Sequence, residues 1–103
     1  MTGQLPSVGR IVHYRLSEQD VANINVQRTR LLGMPRGNAV REGDIYPALV
    51  VAIFAEYKSI EAPSVCNLQV FMDGPDVYWA TSRHETMQDT PEPGCWFWPP
   101  RAG

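Results

Sequence analysis

The chain has 103 residues, of which 44% are hydrophobic and 19% are charged, a composition typical of one globular domain with a single core. Its formal net charge is −2 and its isoelectric point is near 5.6, which argues against non-specific DNA binding because such binding depends on neutralising many phosphates. The sequence contains no apolar stretch of membrane-spanning length, and its N-terminus lacks the charged start and apolar centre of a signal peptide. We therefore expect a soluble, non-secreted protein with no membrane partner.

A short flexible segment and one strand are predicted at the start of the chain. Residues 1–8 are expected to form a flexible N-terminus, because glycine, proline and serine there disfavour regular structure. Residues 9–16 alternate between the two faces of a strand, which places Val12, Tyr14 and Leu16 on the same side. That side is expected to belong to the core.

A helix is predicted directly after this strand. Ser17 precedes Asp20 by three residues, the spacing at which a serine side chain caps a helix and an acid in the first turn interacts favourably with the helix dipole. Gly33 is a suitable helix end, and 34–38 is expected to be a loop because it contains proline and glycine. One helix is therefore expected between the first and second strands.

The longest apolar stretch, 45–55, predicts the central strand of the sheet. Its unbroken series of apolar residues favours a strand that is covered on both faces or shared between two sheet layers. Pro47 has no N–H to donate, so it must lie at the start of the strand or on its free side. The polar segment at 56–64 is expected to connect this strand to the next.

The clearest local signal is a β-hairpin at 67–82, whose turn contains glycine and proline. If four residues form the loop, Val70 faces Trp79 on a largely apolar side, which is expected to be core. On the opposite, mostly polar side, Phe71 then faces Tyr78. The residues predicted to face the core are Leu68, Val70, Met72, Val77, Trp79 and Thr81.

A short last strand is predicted in 94–100, where the two prolines at 99 and 100 end it. Alternation sends Trp96 and Trp98 to one side of this strand and Phe97 to the other. The segment before it, 83–93, is expected to be a loop.

Five short strands with one helix after the first, and no βαβ spacing, predict a mainly β fold. We expect a small antiparallel SH3-like barrel of about five strands that occupies residues 9–103 as a single domain. An oligonucleotide-binding type of barrel is the alternative.

The aromatic residues suggest a binding face, because a small barrel can bury only some of its large rings. Phe71, Tyr78 and Phe97 are expected to form an exposed aromatic surface of the kind that contacts a partner protein or an unstacked base. The alternative is that these rings belong to the core or rim of an ordinary barrel.

Arginine dominates the basic residues: eight of the nine are arginine, and 25–41 contains four of them without any acid. Arg28, Arg30 and Arg36 are therefore expected to provide a charged complement to the aromatic face, since arginine binds carboxylate or phosphate through two parallel hydrogen bonds. The alternative, weighted equally, is a solvated helix end that pairs with the domain's own carboxylates.

The residues that could carry chemistry do not form a motif. Neither cysteine has a local base and orienting group, and His84 with its neighbouring acids lacks a second histidine at helical spacing. We expect no catalytic residue, metal ligand or cofactor, and hence no enzyme. Cys66 and Cys95 are predicted to be free thiols, with a disulfide as the alternative if their strands are neighbours.

Several dispersed segments agree in order with one group of proteins; they are 9–14, 46–48, 67–74, 78–82 and 94–99. In these segments the chain resembles small proteins encoded in tailed bacteriophages and prophages. The resemblance implies a phage-encoded protein made in the cytoplasm of the bacterial host, where it is a candidate for incorporation into the virion. It implies no activity, and no functional residue is carried over from it.

Together these features predict a non-enzymatic interaction module, a minor structural or accessory component of the virion that contacts phage particle proteins or other copies of itself. A small nucleic-acid-binding barrel is the alternative, in which the arginines meet phosphates and the exposed aromatics stack on bases.

Overall fold

The computed structural model describes residues 5–30, 37–55 and 64–100. These residues contain one helix and five strands, in the order β1 (Ile11–Arg15), α1 (Glu18–Thr29), β2 (Ile45–Ala55), β3 (Val65–Phe71), β4 (Val77–His84) and β5 (Trp96–Phe97). Parts of the predicted segments lie outside the described residues: 1–4 of the N-terminus, the helix end at Gly33, 34–36 of the loop that follows, the connection at 56–63, and 101–103.

The five strands form one antiparallel sheet in the order β4-β3-β2-β1-β5. The last strand thus returns to pair with the first. Beyond β4, Glu85 forms a parallel bridge with Trp96, and the N–H of Thr86 donates to the carbonyl oxygen of Trp96 at 2.8 Å. The sheet therefore curls into a half-barrel with one helix after the first strand, which is consistent with the predicted small SH3-like barrel.

The predicted start of the helix is confirmed in detail. The Ser17 side-chain oxygen accepts a hydrogen bond from the Asp20 N–H at 3.1 Å, and the Asp20 carboxylate accepts one from the Ser17 N–H at 2.8 Å. This reciprocal pair is a capping box, which satisfies backbone groups that the first turn leaves free. The helix packs on the concave side of the sheet, where it contributes Ile24 to the core.

The core lies between α1 and the concave side of the sheet, which we call the inner face. As predicted, β1 buries Val12 and Tyr14 there, and Leu16 beyond the strand is also buried. A fully buried side chain of this size contributes roughly 1.5–3 kcal/mol through the hydrophobic effect. The fully buried apolar residues are Val12, Tyr14, Leu16, Ile24, Ala48, Val50, Cys66, Leu68, Val70, Ala80 and Trp96.

β2 is the central strand, as predicted, but it is covered on one face only. Ala48 and Val50 are buried on the inner face, whereas Ile45 and Phe54 are exposed. The expectation of two covered faces is wrong because a single sheet layer with one helix has only one inside. Pro47 comes before Ala48, the first β2 residue that pairs with β3, so its missing N–H costs no hydrogen bond in that ladder.

The β3–β4 hairpin forms as predicted, but its register differs by one residue. Phe71 pairs with Val77 and Gln69 pairs with Trp79, so five residues, 72–76, form the loop. A shift of one residue moves every side chain of a strand to the other face. Tyr78 is consequently buried and Trp79 is 59% exposed, and the prediction that Trp79 belongs to the core is wrong.

Two contacts explain this longer loop. The N–H of Met72 donates to the carbonyl oxygen of Asp76 at 3.4 Å, which closes the loop. The Asp76 side chain turns inward and pairs with Arg28 of α1. The hairpin loop is therefore anchored to α1 through Arg28, which lies outside the hairpin sequence.

A β-bulge near the end of β4 reverses the alternation once more. The β3–β4 register shifts between Cys66 and Leu68, and opposite this point Ser82 has a φ of 55° and donates its N–H to the Asn67 side chain at 2.8 Å. Bulges re-aim the residues that follow them. Arg83 therefore points to the inner face, and His84, which was expected in a loop, is the last residue of β4.

Candidate functional site

The convex side of the sheet presents a continuous set of side chains that we call the outer face. Cross-strand pairing aligns Ile11 with Leu49, Leu49 with Gln69, and Gln69 with Trp79, which forms one row across four strands. A second row contains Phe97, His13 and Pro47, next to the Phe71–Val77 pair. The outer face consists of Ile11, His13, Pro47, Leu49, Gln69, Phe71, Val77, Trp79 and Phe97.

The nine members of the outer face are mostly apolar, and His13 is their one ionisable side chain; Arg15, the next residue on the same side of β1, is half-buried and borders the face. Seven of its nine members are apolar, and Trp79, Ile11, Val77 and Phe71 are 59%, 47%, 39% and 38% exposed. Depletion of charge together with enrichment in aromatic rings is typical of the centre of a protein–protein interface. The composition of this face is therefore that of a contact surface.

Its dimensions follow from the spacing of strands in a sheet. Five strands about 4.8 Å apart span roughly 19 Å, and two rows of side chains add on the order of 14 Å in the other direction. The resulting area of about 270 Å² is close to the lower end of the range of the largest apolar patches on monomeric proteins, which are often functional.

Two of the three predicted contact aromatics lie on this face. Phe71 and Phe97 point outward, and the Phe97 ring packs edge-on against His13 with 5.6 Å between ring centroids. Tyr78 does not lie there, since it is only 6% exposed on the inner face. Trp79 takes its place, because the five-residue loop reverses the two faces of β4.

Three arginines were predicted to provide a charged complement to the aromatic face, and among the described residues only Arg30 is available for that role. Arg28 is buried and forms a bidentate ion pair with Asp76, with nitrogen–oxygen distances of 2.8 and 3.2 Å. It also donates to the carbonyl oxygen of Asn38 at 2.8 Å. The carboxylate of Asp76 raises the pKa of Arg28, and Arg28 lowers the pKa of Asp76. Arg30 is exposed, and Arg36 lies outside the described residues.

Arg28 therefore serves the fold, as the alternative interpretation of the arginine segment anticipated. Its ion pair joins the end of α1 to the β3–β4 loop, whereas its hydrogen bond to Asn38 holds the chain that leads to β2. Because this guanidinium is buried and already paired, it is not available to bind a phosphate or a partner carboxylate.

A polar network on the inner face was not predicted from the sequence. The buried carboxylate of Asp20 accepts hydrogen bonds from the hydroxyls of Tyr14 at 2.5 Å and Tyr78 at 2.8 Å, and it pairs with Arg83 at 2.8 Å. Arg83 also donates to the Tyr14 hydroxyl at 2.7 Å. The network ties α1 to β1 and β4, and no residue spacing reveals it because its members come from three separate elements.

Burial and hydrogen bonding shift the pKa of Asp20 in opposite directions. Burial by itself raises the pKa of this carboxyl, but the Ser17 N–H and the two tyrosine hydroxyls stabilise the ionised form and lower it overall. Burial also raises the pKa of Tyr14 and of Tyr78. Both phenols are therefore protonated near neutral pH and act as donors to an ionised carboxylate.

The structure brings one cysteine close to a histidine. The Cys95 sulfur lies 3.8 Å from Nε2 of His84, and both described cysteines are free and buried, as predicted. Burial, followed by the charge of Glu92, raises the pKa of Cys95, and burial raises the pKa of Cys66 to about 11. A thiol with a raised pKa is protonated near neutral pH and lacks the activation that a nucleophile needs.

The described residues contain no group of three or more His, Cys, Asp or Glu side chains placed to hold a metal ion. No helix in the described part of the chain has both the length and the apolar character required to cross a bilayer.

The chain matches no known family model, and no curated protein or solved structure is significantly similar to it. Its class is therefore defined by its own fold and surface. It is a small, mainly β protein, a curled half-barrel of five antiparallel strands with one helix and a mostly apolar, aromatic outer face.

Proposed function

We propose that this protein is a non-enzymatic interaction module that binds another protein through its outer face. In the phage setting implied by the sequence resemblance, it is a minor structural or accessory component of the virion. Its partner is then a phage particle protein or a second copy of the chain.

One observation carries this proposal: apolar and aromatic side chains line up in two rows across the strands, with His13 as the one ionisable member, while Arg15 at their margin is engaged by the carbonyl oxygens of Gly43 and Pro91. Solvent-facing sheet surfaces usually alternate with the core and carry polar residues. Trp79 and Phe71 supply rings of the type that dominate binding energy at interfaces. A protein partner that covers this face would remove both rings from water.

Nucleic-acid binding is less well supported because the arginines are dispersed. Arg28 is already ion-paired with Asp76, and Arg83 is already ion-paired with Asp20. Arg15 donates to the carbonyl oxygens of Gly43 and Pro91 at 3.2 and 2.6 Å. A phosphate-binding surface needs several available cations near one another, whereas Arg15, the arginine on the outward side of β1, is already engaged by these two carbonyl oxygens. Affinity for single-stranded DNA that falls steeply with salt would contradict this interpretation.

The first test is the molar mass of the full chain in solution, measured by light scattering coupled to size-exclusion chromatography at low and high salt. A discrete oligomer that persists at high salt, and that dissociates in the Trp79→Ala variant, supports self-association through the outer face. If the chain is a monomer, immobilised protein is tested for binding to purified phage particle proteins.

A matched pair of valine variants gives the test its control. Val77 lies on the outer face and Val26 lies on α1 on the other side of the sheet; they are 39% and 50% exposed. Weaker association for Val77→Thr but not for Val26→Thr supports the outer face as the contact surface. The proposal is contradicted if the strength of association is unchanged in Val77→Thr, Phe71→Ala and Trp79→Ala.

A further inference from the structure

β4 is an edge strand of the sheet, and part of its backbone faces outward with no partner among residues 5–30, 37–55 and 64–100. Gln27 donates to the carbonyl oxygen of Val77 at 2.9 Å, and Arg83 donates to that of Thr81 at 2.8 Å. These two bonds show that the backbone groups of Val77 and Thr81 point away from β3. Trp79 lies midway between them and has the same orientation, because hydrogen-bonding direction alternates along a strand.

Within the part of the chain that the structure describes, the edge is therefore capped at two positions and open between them. Among the described residues, no side chain donates to the carbonyl oxygen of Trp79 or accepts from its N–H. An edge strand with unpaired backbone groups is a template for the addition of another strand.

A groove runs beside this open edge, between β4 and α1. Its volume is about 420 Å³, and it is lined by Asn23, Val26, Gln27, Arg30 and Tyr78. The Tyr78 ring is held in place, since its hydroxyl donates to Asp20 at 2.8 Å and accepts from Asn23 at 3.3 Å. The Tyr78 side of this open groove is thus fixed, and Val26, which is half exposed, provides an apolar component.

Arg30 gives the groove a positive charge. It is exposed just beyond the last residue of α1, and it forms no ion pair with any described residue, in contrast to Arg28 two positions earlier. An unpaired guanidinium favours a carboxylate, with which it forms charge-assisted hydrogen bonds. A ligand that fits this groove is therefore acidic at the position that meets Arg30.

We propose that the β4 edge binds an extended segment of a partner protein that adds to the sheet as a further strand. The backbone of this segment pairs with Trp79, its alternate side chains enter the groove beside Val26, and one of them is an acid that pairs with Arg30. Gln27 occupies the Val77 carbonyl oxygen in the free protein and is displaced when the strand arrives. This mode combines backbone pairing for affinity with side-chain pockets for specificity.

The inference goes beyond the proposed function because it uses a different surface. The outer face recognises its partner through the Trp79 and Phe71 side chains, whereas the edge uses the Trp79 backbone together with a groove on the other side of the sheet. A second copy of this chain is disfavoured as the occupant, since symmetric pairing through β4 brings a second α1 and a second Arg30, a like charge, to the same edge.

The test uses synthetic eight-residue peptides that alternate threonine and valine, with glutamate replacing one central valine. Matched peptides carry glutamine or lysine at that position. Another peptide carries N-methyl groups on the backbone amides of the peptide edge that would pair with β4. Binding to the full chain is followed by NMR titration and by amide hydrogen exchange. We expect the glutamate peptide to shift the signals of Val77, Trp79 and Val26 and to slow exchange of the Trp79 N–H at least about tenfold.

Charge selectivity provides the decisive comparison. The glutamate peptide should bind about five- to tenfold more tightly than the lysine peptide. Arg30→Gln should abolish this difference, while Arg41→Gln, a change at an exposed arginine that does not line the groove, should preserve it. The Phe71→Ala variant should bind the peptide as the unmodified protein does, which separates the edge from the outer face.

Three results would overturn the inference. They are equal affinity for the glutamate and lysine peptides, peptide-induced shifts confined to Phe71 and Phe97, and protection of the Trp79 N–H by self-association without peptide. The first two leave the outer-face proposal intact, and the third assigns the edge to a second copy of the chain.

Discussion

Trp79 lies directly opposite Gln69 in the β3–β4 hairpin, and this pairing turns its indole away from the core. Tyr78, one residue earlier, therefore occupies the inner face, where its hydroxyl donates to the buried carboxylate of Asp20. The same register exposes Trp79 beside Ile11, Phe71 and Val77 on the outer face. One pairing thus completes both the inner polar network and the surface proposed for partner binding.

Truncation of Trp96 and truncation of Trp79 should differ in their effect on the free energy of unfolding. Trp96→Ala should lower the free energy of unfolding by about 3–5 kcal/mol, because Trp96 is fully buried. Trp79→Ala should lower it by less than about 1 kcal/mol, since an exposed side chain makes few core contacts. Urea unfolding of both variants measures these values. In binding, Trp79→Ala should cost about 1–3 kcal/mol. A large loss of stability in Trp79→Ala would show that the outer face is covered within the folded chain.

The two arginines at the end of α1 should differ in the same way. Arg28→Ala should destabilise the fold by about 3 kcal/mol, because it leaves the buried carboxylate of Asp76 without its bidentate partner. Arg30→Ala should change stability by less than about 0.5 kcal/mol, as expected for an exposed site. Thermal unfolding of the two variants tests this pair. Similar losses in both would contradict the assignment of Arg28 to the fold.

Loss of the Asp20 carboxylate, which accepts hydrogen bonds from or pairs with the other members of the inner polar network, should lower the stability of the fold. Asp20→Asn should reduce the free energy of unfolding by about 3–5 kcal/mol, since it leaves the Arg83 guanidinium without its counter-charge in a mostly buried position. The double variant Asp20→Asn/Arg83→Met should recover part of this loss because it removes the unpaired charge. Asp89→Asn, a change at an exposed aspartate, is the control and should be neutral. A double-variant cycle in urea measures the coupling.

Acid should destabilise the protein through its two buried aspartates. The pKa values of Asp20 and Asp76 are lower in the folded chain than their ordinary value. A carboxyl whose pKa is lowered by folding contributes stability above the unfolded pKa of about 3.9, and this contribution is lost as the pH falls through the folded pKa.

Urea unfolding between pH 7 and pH 2.5 should therefore show stability that is nearly constant above about pH 5 and declines below about pH 4. The decline should be shallower in Asp20→Asn, which has no carboxyl to protonate at that position. An equally steep decline in Asp20→Asn would show that other carboxyls dominate acid unfolding.

The two cysteines should be slow to react in the folded chain. Both are buried, and burial raises the pKa of Cys66 to about 11 and that of Cys95 above its ordinary value. Since the thiolate is the reactive form, Ellman's reagent at pH 8 should react slowly with native protein and rapidly with two thiols per chain in denaturant. Rapid reaction of native Cys95 would instead indicate an activated thiol beside His84, and no thiol in denaturant would indicate a disulfide.

Local sequence patterns were sufficient for most of the fold. Alternation identified the buried side of β1 and the opposite sides of Trp96 and Phe97, and the Ser17–Asp20 spacing identified the helix start. These features depend on neighbouring residues along the chain, where hydrogen-bonding geometry is set within a few positions. Of the candidate contact residues, Phe71 and Phe97 lie on the side of their strands that alternation predicted, since each belongs to a strand whose alternation is undisturbed up to that point.

The tertiary structure alone decided the register of β4, and with it the identity of the exposed aromatic. A turn of four or five residues is equally compatible with the glycine and proline between the strands. The choice depends on Asp76 meeting Arg28, 48 residues away, and on Tyr78 meeting Asp20, 58 residues away. Buried charges and hydroxyls must be paired to be stable, so these distant partners fix the register, and no pattern within the hairpin contains them.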